Sequence, residues 1–424
     1  MNASGLQGAP ETESIRTSVT RIRSRRLLRS RRLLGWRTAA AIVAGALGAF
    51  VAVLALGNGL PPRTNVVTMT AALVWASVGP QLVLVSVVAA VLCVPIWCAD
   101  HRPVLTGLST AIVAVALVLS TAITGALVGS AGSSGGSVDL GRAVAGAAPS
   151  PGPDEIAAYA TVDGRTLEAR VFEPAAAADA PVLMQIAGGE LMGASAESSD
   201  ATARWYASRG WFVVTVDHRR GDSSDSAWDD APADVGCALS WTARRAGEAG
   251  ADPRRLAVLG DSAGGHLALL LGWSSAVDSA TTSCPALGSV PVPDAVATAS
   301  PIGDLSHADA HGAVPLGNGP QQFVRDFLGG APEAMRDRLV AVSPWTYLSA
   351  VTPPTLIVQP ERDDVVPAEG NQGLIARALQ AGVDATLAEI PFAYHGFGQD
   401  PDSLGGQIRN TIVQNWLADK GLRP

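Results

Sequence analysis

The chain has 424 residues, 48% of them hydrophobic and 16% charged, with a formal net charge of −8. The charge is unevenly placed: residues 1–141 hold 11 arginines against 4 acids, a net of +7, and residues 142–424 hold the opposing −15. This split excludes one uniform globule, the acidic larger part disfavours a nucleic-acid binder because it would repel phosphates, and four cysteines without zinc-like spacing exclude a disulfide scaffold.

In chain order, nine arginines stand between Arg16 and Arg37 with no acid among them. Residues 1–37 therefore read as a basic tail, solvated or lying on anionic lipid, and held on the cytoplasmic side in either case. The uncharged run 38–57 then matches the roughly 30 Å hydrocarbon core at about 1.5 Å rise per residue, and it exceeds the roughly 7–15 apolar residues of a signal peptide. Residues 65–98 are again apolar but too long for one straight span, with Gly79 and Pro80 in the middle. Proline suits the first turn of a helix, so a second span is expected over 80–98, with 66–78 as an outer loop or interfacial segment. A polar hinge of Asp100, His101, Arg102 and Pro103 precedes a third uncharged run, 104–128. Three transmembrane helices from a cytoplasmic N-terminus make the cell membrane the first expected partner and place everything downstream outside the cytoplasm. Cys93 and Cys98 fall in the second span as packing residues. Residues 129–155 change to Gly, Ser, Ala and Pro and read as a flexible linker.

Residues 156–424 form the expected catalytic domain. Short β-like runs at 157–162, 167–172, 182–186, 212–217, 256–259, 295–299, 355–358 and 386–390 alternate with amphipathic stretches such as 201–208, 233–249 and 373–381. That alternation predicts an α/β fold, a mostly parallel sheet flanked by helices, opened by a hairpin turning at Asp163 and Gly164.

Between the run 256–259 and the apolar helix 267–273 stands Leu259-Gly260-Asp261-Ser262-Ala263-Gly264-Gly265-His266. Strand, tight turn and helix around G-x-S-x-G form the context of a nucleophile elbow, which exposes the serine on a strained turn and needs small neighbours two residues away on either side. Ser262 is the candidate nucleophile. A serine needs a base to take its proton, and the base an acid to orient it, each on a loop after a later strand. The strand at 355–358 runs into Glu361, Arg362, Asp363 and Asp364, and the strand ending at Ile390 runs into Tyr394, His395 and Gly396. Asp363 is the expected acid, with Asp364 and Glu361 as rivals, and His395 is the expected base.

These residues resemble the hormone-sensitive-lipase-like and bacterial feruloyl-esterase-type (BD-FAE-like) branch of the α/β hydrolases, over about residues 156–416. The resemblance rests on Gly260-Asp261-Ser262-Ala263-Gly264-Gly265, Arg362-Asp363-Asp364-Val365-Val366-Pro367 and His395-Gly396-Phe397. Where the family has a strand ending Val-Asp-Tyr-Arg, Val216, Asp217, His218 and Arg219 stand here. It implies an α/β-hydrolase fold and hydrolysis of a carboxylic ester through an acyl-enzyme, without metal or organic cofactor. One departure matters: the family's oxyanion loop reads His-Gly-Gly-Gly, and this chain has Ala187, Gly188, Gly189 and Glu190. Backbone N–H groups of Gly189, Glu190 and Ala263 remain the expected oxyanion hole. A carboxylate there opposes a forming oxyanion, so the Glu190 side chain turns toward solvent or a cation, which is the expectation, or contacts the substrate, or the activity is feeble.

Other features read more blandly. His307, Asp309 and His311 would share a face, and so hold a metal, only on a strand; they read better as cap or loop residues. Cys237 and Cys284 are the only thiols of the acidic part, and whether they pair is left open. His266 reads as a packing or hydrogen-bonding residue, and Trp205, Trp211, Trp241 and Trp273 as core. Pocket-lining residues are expected from 192–200, 220–230 and 302–331. The expectation is a membrane-anchored serine hydrolase acting on a small-molecule, lipid or polysaccharide ester. The alternatives are a peptidase or acyltransferase on the same fold, or a non-catalytic sensor.

Overall fold

A computed structural model describes residues 38–59, 65–97, 103–146, 150–189, 195–221, 226–314 and 319–424. The basic tail 1–37, Cys98 and Glu190 lie outside the described residues. Contacts divide the chain into two compact units, the described residues up to 53 with those of 83–120, and residues 54–82 with 121–424.

Three helices come first: α1 (Thr38–Gly59), α2 (Val66–Trp97) and α3 (Pro103–Ser133). All three are long and apolar enough to cross a membrane. In the first unit they keep apolar side chains outward, with Phe50, Val91 and Val118 all more than half exposed. Inside it, small residues let backbones approach. A side chain at Gly45 would meet Ser109 Oγ at 2.9 Å, and one at Gly48 would meet Val113.

The segment 66–78 is helical and not a loop, because α2 continues across Pro80. Only Val78 leaves helical geometry (φ −131°, ψ 24°). Proline removes a backbone donor and crowds the carbonyl one turn back, so the distortion falls just before it. The stretch before the kink belongs to the second unit, where Ala72 is part of the main hydrophobic core and Trp75 Nε1 donates to Thr124 Oγ1 at 3.2 Å.

The rest of the second unit is an eight-stranded sheet in the order β1-β2-β4-β3-β5-β6-β7-β8. The strands are β1 (Glu155–Val162), β2 (Arg165–Phe172), β3 (Pro181–Ile186), β4 (Phe212–Val216), β5 (Asp252–Asp261), β6 (Ala295–Ala299), β7 (Thr355–Pro360) and β8 (Ala385–Ile390). β1 and β2 pair antiparallel, as do β2 and β4, and every later pair is parallel. The hairpin turn sits where expected, because Asp163 and Gly164 both take positive φ (51° and 77°). β3, β4 and β6 are buried throughout, so both faces need cover. Helices α5 (Asp200–Ala207), α6 (Asp230–Glu248), α7 (Ser262–Ser275), α11 (Ala368–Gln380) and α12 (Leu404–Asp419) provide it. All four expected core tryptophans are buried, and Trp273 Nε1 donates to Thr355 Oγ1 at 3.0 Å.

The stretch expected to be a flexible linker is instead partly built. α3 runs on to Ser133, and α4 (Leu140–Ala145) is capped by Asp139, whose carboxylate accepts from Arg142 N at 3.0 Å. Backbone groups here also bond α12. Ser137 N donates to Thr411 Oγ1 at 2.9 Å, Asp139 N to Gln407 Oε1 at 2.7 Å, and Asn415 Nδ2 to Gly135 O at 2.7 Å. Composition suggested a spacer because small residues have little to bury, but their bare backbone is what a polar helix face can bind.

Candidate active site

β5 ends at Asp261 and α7 begins at Ser262, whose φ of 54° is left-handed for a non-glycine residue. Such strain persists only where surroundings impose it, and here the glycines do so. A side chain on Gly260 would strike the Gly264 carbonyl, and one on Gly264 the carbonyls of Ile186 and Ala187. A side chain on Gly188 would lie 2.5 Å from the Asp261 carbonyl oxygen and 3.0 Å from Ser262 Cβ. The loop after β3 thus runs tightly against the elbow. Ala263 is buried at the N-terminus of α7, whose first N–H groups lack helical partners.

Ser262, His395 and Asp363 are brought together. Ser262 Oγ lies 3.0 Å from His395 Nε2, and His395 Nδ1 lies 2.8 Å from Asp363 Oδ2. The other oxygen of Asp363 accepts from Val366 N at 2.8 Å, so the buried carboxylate is held from two sides. Its rivals bond elsewhere through their backbones, Glu361 N to Ile390 O and Asp364 O to Ala313 N. Phe392 (φ 58°) and Gly396 (φ 74°) turn the loop after β8 so that His395 faces the serine. Of the expected oxyanion donors, Gly189 (φ 116°) follows Gly188 beside the elbow, and Glu190 lies outside the described residues.

Behind the elbow, buried Arg409 of α12 reaches Asp261 Oδ1 at 3.3 Å, Thr202 Oγ1 at 3.0 Å and Asn410 Oδ1 at 3.1 Å. A buried guanidinium is tolerable when its donors are satisfied in this way, and it ties the last helix to the turn carrying Ser262. His266 lies one turn into α7, with Nδ1 2.8 Å from Ile302 O and its ring edge-on to Phe327. Burial holds its pKa down at about 4, so the imidazole is neutral. Burial also pushes the Tyr394 hydroxyl up, helped by Asp364 and Asp363, so it stays protonated.

A cavity of about 880 Å³ contains Ser262 and His395 in its lining. Part of that lining comes from the segments expected to supply it, including Ser198, Arg220, Val314 and the two phenylalanines of α9 (Gly319–Leu328), Phe323 and Phe327. Val66, Met69 and Leu73 of α2 line it too, which the sequence reading missed. Their i, i+3, i+7 spacing was visible as one helix stripe, but uniform apolarity gave that stripe no contrast.

The remaining candidates find other partners. His307, Asp309 and His311 sit in the short helix α8 (Leu305–His311), so alternation does not align them. The two rings stack at 4.3 Å and Asp309 pairs with Arg325 at 3.0 Å. Among the described residues no group of three His, Cys, Asp or Glu could hold a metal ion. Cys237 and Cys284 form a disulfide. In the strand end Val216-Asp217-His218-Arg219, Asp217 Oδ1 accepts from Ala196 N, and Arg219 pairs with Asp234 at 2.8 Å.

Residues 171–377 match the BD-FAE family model, a stretch that includes Ser262 and Asp363. Over those residues the chain is similar to that family. Two Mycobacterium tuberculosis proteins share sequence with the chain: esterase LipQ, 28% identical over 57% of this chain and 54% of its own length, and the probable carboxylic ester hydrolase LipM, 29% identical over the same shares. The chain thus spans about half the length of these curated relatives. Among solved structures, butyrate-bound Est2, a thermophilic esterase of Thermogutta terrifontis, is 26% identical with a TM-score of 0.52, over 64% of this chain and 96% of that one. The BD-FAE match, the sheet order and the elbow agree on an α/β-hydrolase fold.

Proposed function

We propose that the chain is a membrane-anchored serine hydrolase that cleaves carboxylic esters through an acyl-enzyme. The observation that carries this reading is the relay from Ser262 Oγ through His395 to buried Asp363, at 3.0 and 2.8 Å, mounted on a strained elbow. Ser262 Oγ attacks the ester carbonyl carbon while its proton passes to His395 Nε2, and Asp363 stabilises the imidazolium through Nδ1–H. The carbonyl oxygen, now anionic, is met by N–H groups of Ala263 and of the loop at Gly189 and Glu190. The alcohol leaves with the proton from His395. Water then gives a proton to the same nitrogen and attacks the acyl carbon, which releases the acid and restores Ser262.

Relatives named as esterases support this reaction class. The arginine cluster before three apolar helices supports a cytoplasmic N-terminus and an extracytoplasmic hydrolase. So does the Cys237–Cys284 disulfide, a bond that persists in oxidising compartments. Fluorophosphonate labelling of the full chain tests the chemistry. Wild type labels and hydrolyses p-nitrophenyl butyrate, and Ser262→Ala does neither; equal labelling of both sinks the reading. A reporter fused after Pro424 that is active only in the cytoplasm sinks the orientation. Glu190→Gly leaves turnover within about one order of magnitude if the carboxylate faces away from the oxyanion.

A further inference from the structure

Three facts about α2 converge on the ester site. First, its stripe of Val66, Met69 and Leu73 lines the cavity that contains Ser262 and His395. Second, the same stretch packs on the chain that follows the histidine: a side chain on Gly405 would lie 3.2 Å from Ala76 Cβ, and one on Gly79 would lie 3.1 Å from Leu404. Third, α2 has 32 residues, about 48 Å of helix against a hydrocarbon core of about 30 Å. α2 itself holds a candidate membrane span, Val66–Val94, and its length exceeds one straight crossing.

The lining is mixed, with polar Ser199, Arg220, Gln322 and Asp326, but its apolar part extends from this stripe's three residues to Leu267, Val314, Phe323 and Phe327. The two phenylalanine rings stack at 5.9 Å. At about 880 Å³ the cavity lies toward the upper end of the roughly 300–1,000 Å³ typical of ligand sites, far more than an acetyl group occupies.

We propose that Met69 and Leu73 form the acyl-chain wall of the ester site, and that the substrate is a lipid ester with an acyl chain of about eight carbons or more, taken from the bilayer that holds α2. The inference rests on the serine-hydrolase reading and adds the substrate class and the residues that select it. Burying chain methylenes against this wall raises kcat/KM by up to about fourfold each.

The test uses full-length protein in phospholipid vesicles with p-nitrophenyl acetate, butyrate, octanoate and palmitate. Wild type turns over octanoate at least tenfold better than acetate in kcat/KM. Met69→Trp narrows the wall and Leu73→Asp polarises it, and each lowers the octanoate-to-acetate ratio at least tenfold; Leu73→Met keeps it. The ratio is a property of the active molecules, so a misfolded fraction does not alter it, and Met69→Ala serves as the milder second variant. A long-chain ester embedded in the protein's own vesicles is consumed faster than the same ester in separate vesicles. A flat chain-length profile in a wild type that labels with fluorophosphonate, or a ratio unmoved by these variants, overturns this inference alone. Equal rates from own and separate vesicles overturn the bilayer source. Absence of both labelling and hydrolysis overturns the esterase reading and this inference with it.

Discussion

Around Ser262 the cavity is made by a few polar atoms at the ends of β5, β7 and β8, each within hydrogen-bond reach of the next. Its wall is made by apolar side chains of α2, α7 and α9, drawn from distant parts of the chain and related only by packing. Hydrogen bonds are directional and short, so the centre tolerates one arrangement. Apolar contact is non-directional, so many arrangements would close the wall. On the proposed reading chemistry rests on few residues and substrate choice on many, and the two should separate under mutation.

The largest expected effect is at the centre. Ser262→Ala lowers kcat by about 10,000- to 1,000,000-fold for every acyl length alike. A loss confined to long chains would place Ser262 in the wall and not in the chemistry. Next comes the acid: Asp363→Asn costs about 10,000-fold in kcat, because the imidazole loses the partner that fixes its tautomer. Asp364→Asn, whose backbone oxygen accepts from Ala313 N, costs less than about tenfold on this scale. Measuring both with p-nitrophenyl butyrate decides between neighbouring carboxylates, and the reverse ranking would reassign the acid.

The same contrast explains what the sequence disclosed. Ser262, Asp363 and His395 stand in short motifs after strands of the sheet, because an elbow and two strand-end loops need particular residues at particular offsets. All eight strands were legible from their β-rich runs. Met69 and Leu73 were not, since an apolar helix that meets lipid and one that meets a cavity have the same composition. Nor was the contact of residues 135–139 with α12. There the bonding groups are backbone atoms that every sequence possesses, and the partners Gln407 and Thr411 lie far along the chain.

Scaffold changes away from both regions should move stability without moving chain-length preference. The disulfide between Cys237 and Cys284 closes a loop of 47 residues, which in the chain-entropy account corresponds to about 4 kcal/mol. Cys284→Ser should lose roughly 2–4 kcal/mol, read as a lower apparent melting temperature, while the octanoate-to-acetate ratio of the surviving protein stays at the wild-type value. A changed ratio would mean that the loop around Cys284 shapes the cavity.

An effect confined to low pH belongs to His266, which sits directly behind the elbow and also lines the cavity. Burial holds its folded pKa at about 4, below the 6.5 of a free imidazole. Between those values the unfolded chain takes up a proton that the folded chain refuses, so stability must fall as pH drops through the window and level off below it. The full difference amounts to about 3 kcal/mol. His266→Asn can keep a donor for the Ile302 carbonyl while removing the titration. Melting curves of the two proteins should therefore diverge steadily from pH 6.5 toward 4, with wild type losing more. Carboxylates titrate in both and cancel in the difference. Parallel curves would show that the imidazole protonates in the folded state, against the burial that now keeps it neutral beside Phe327.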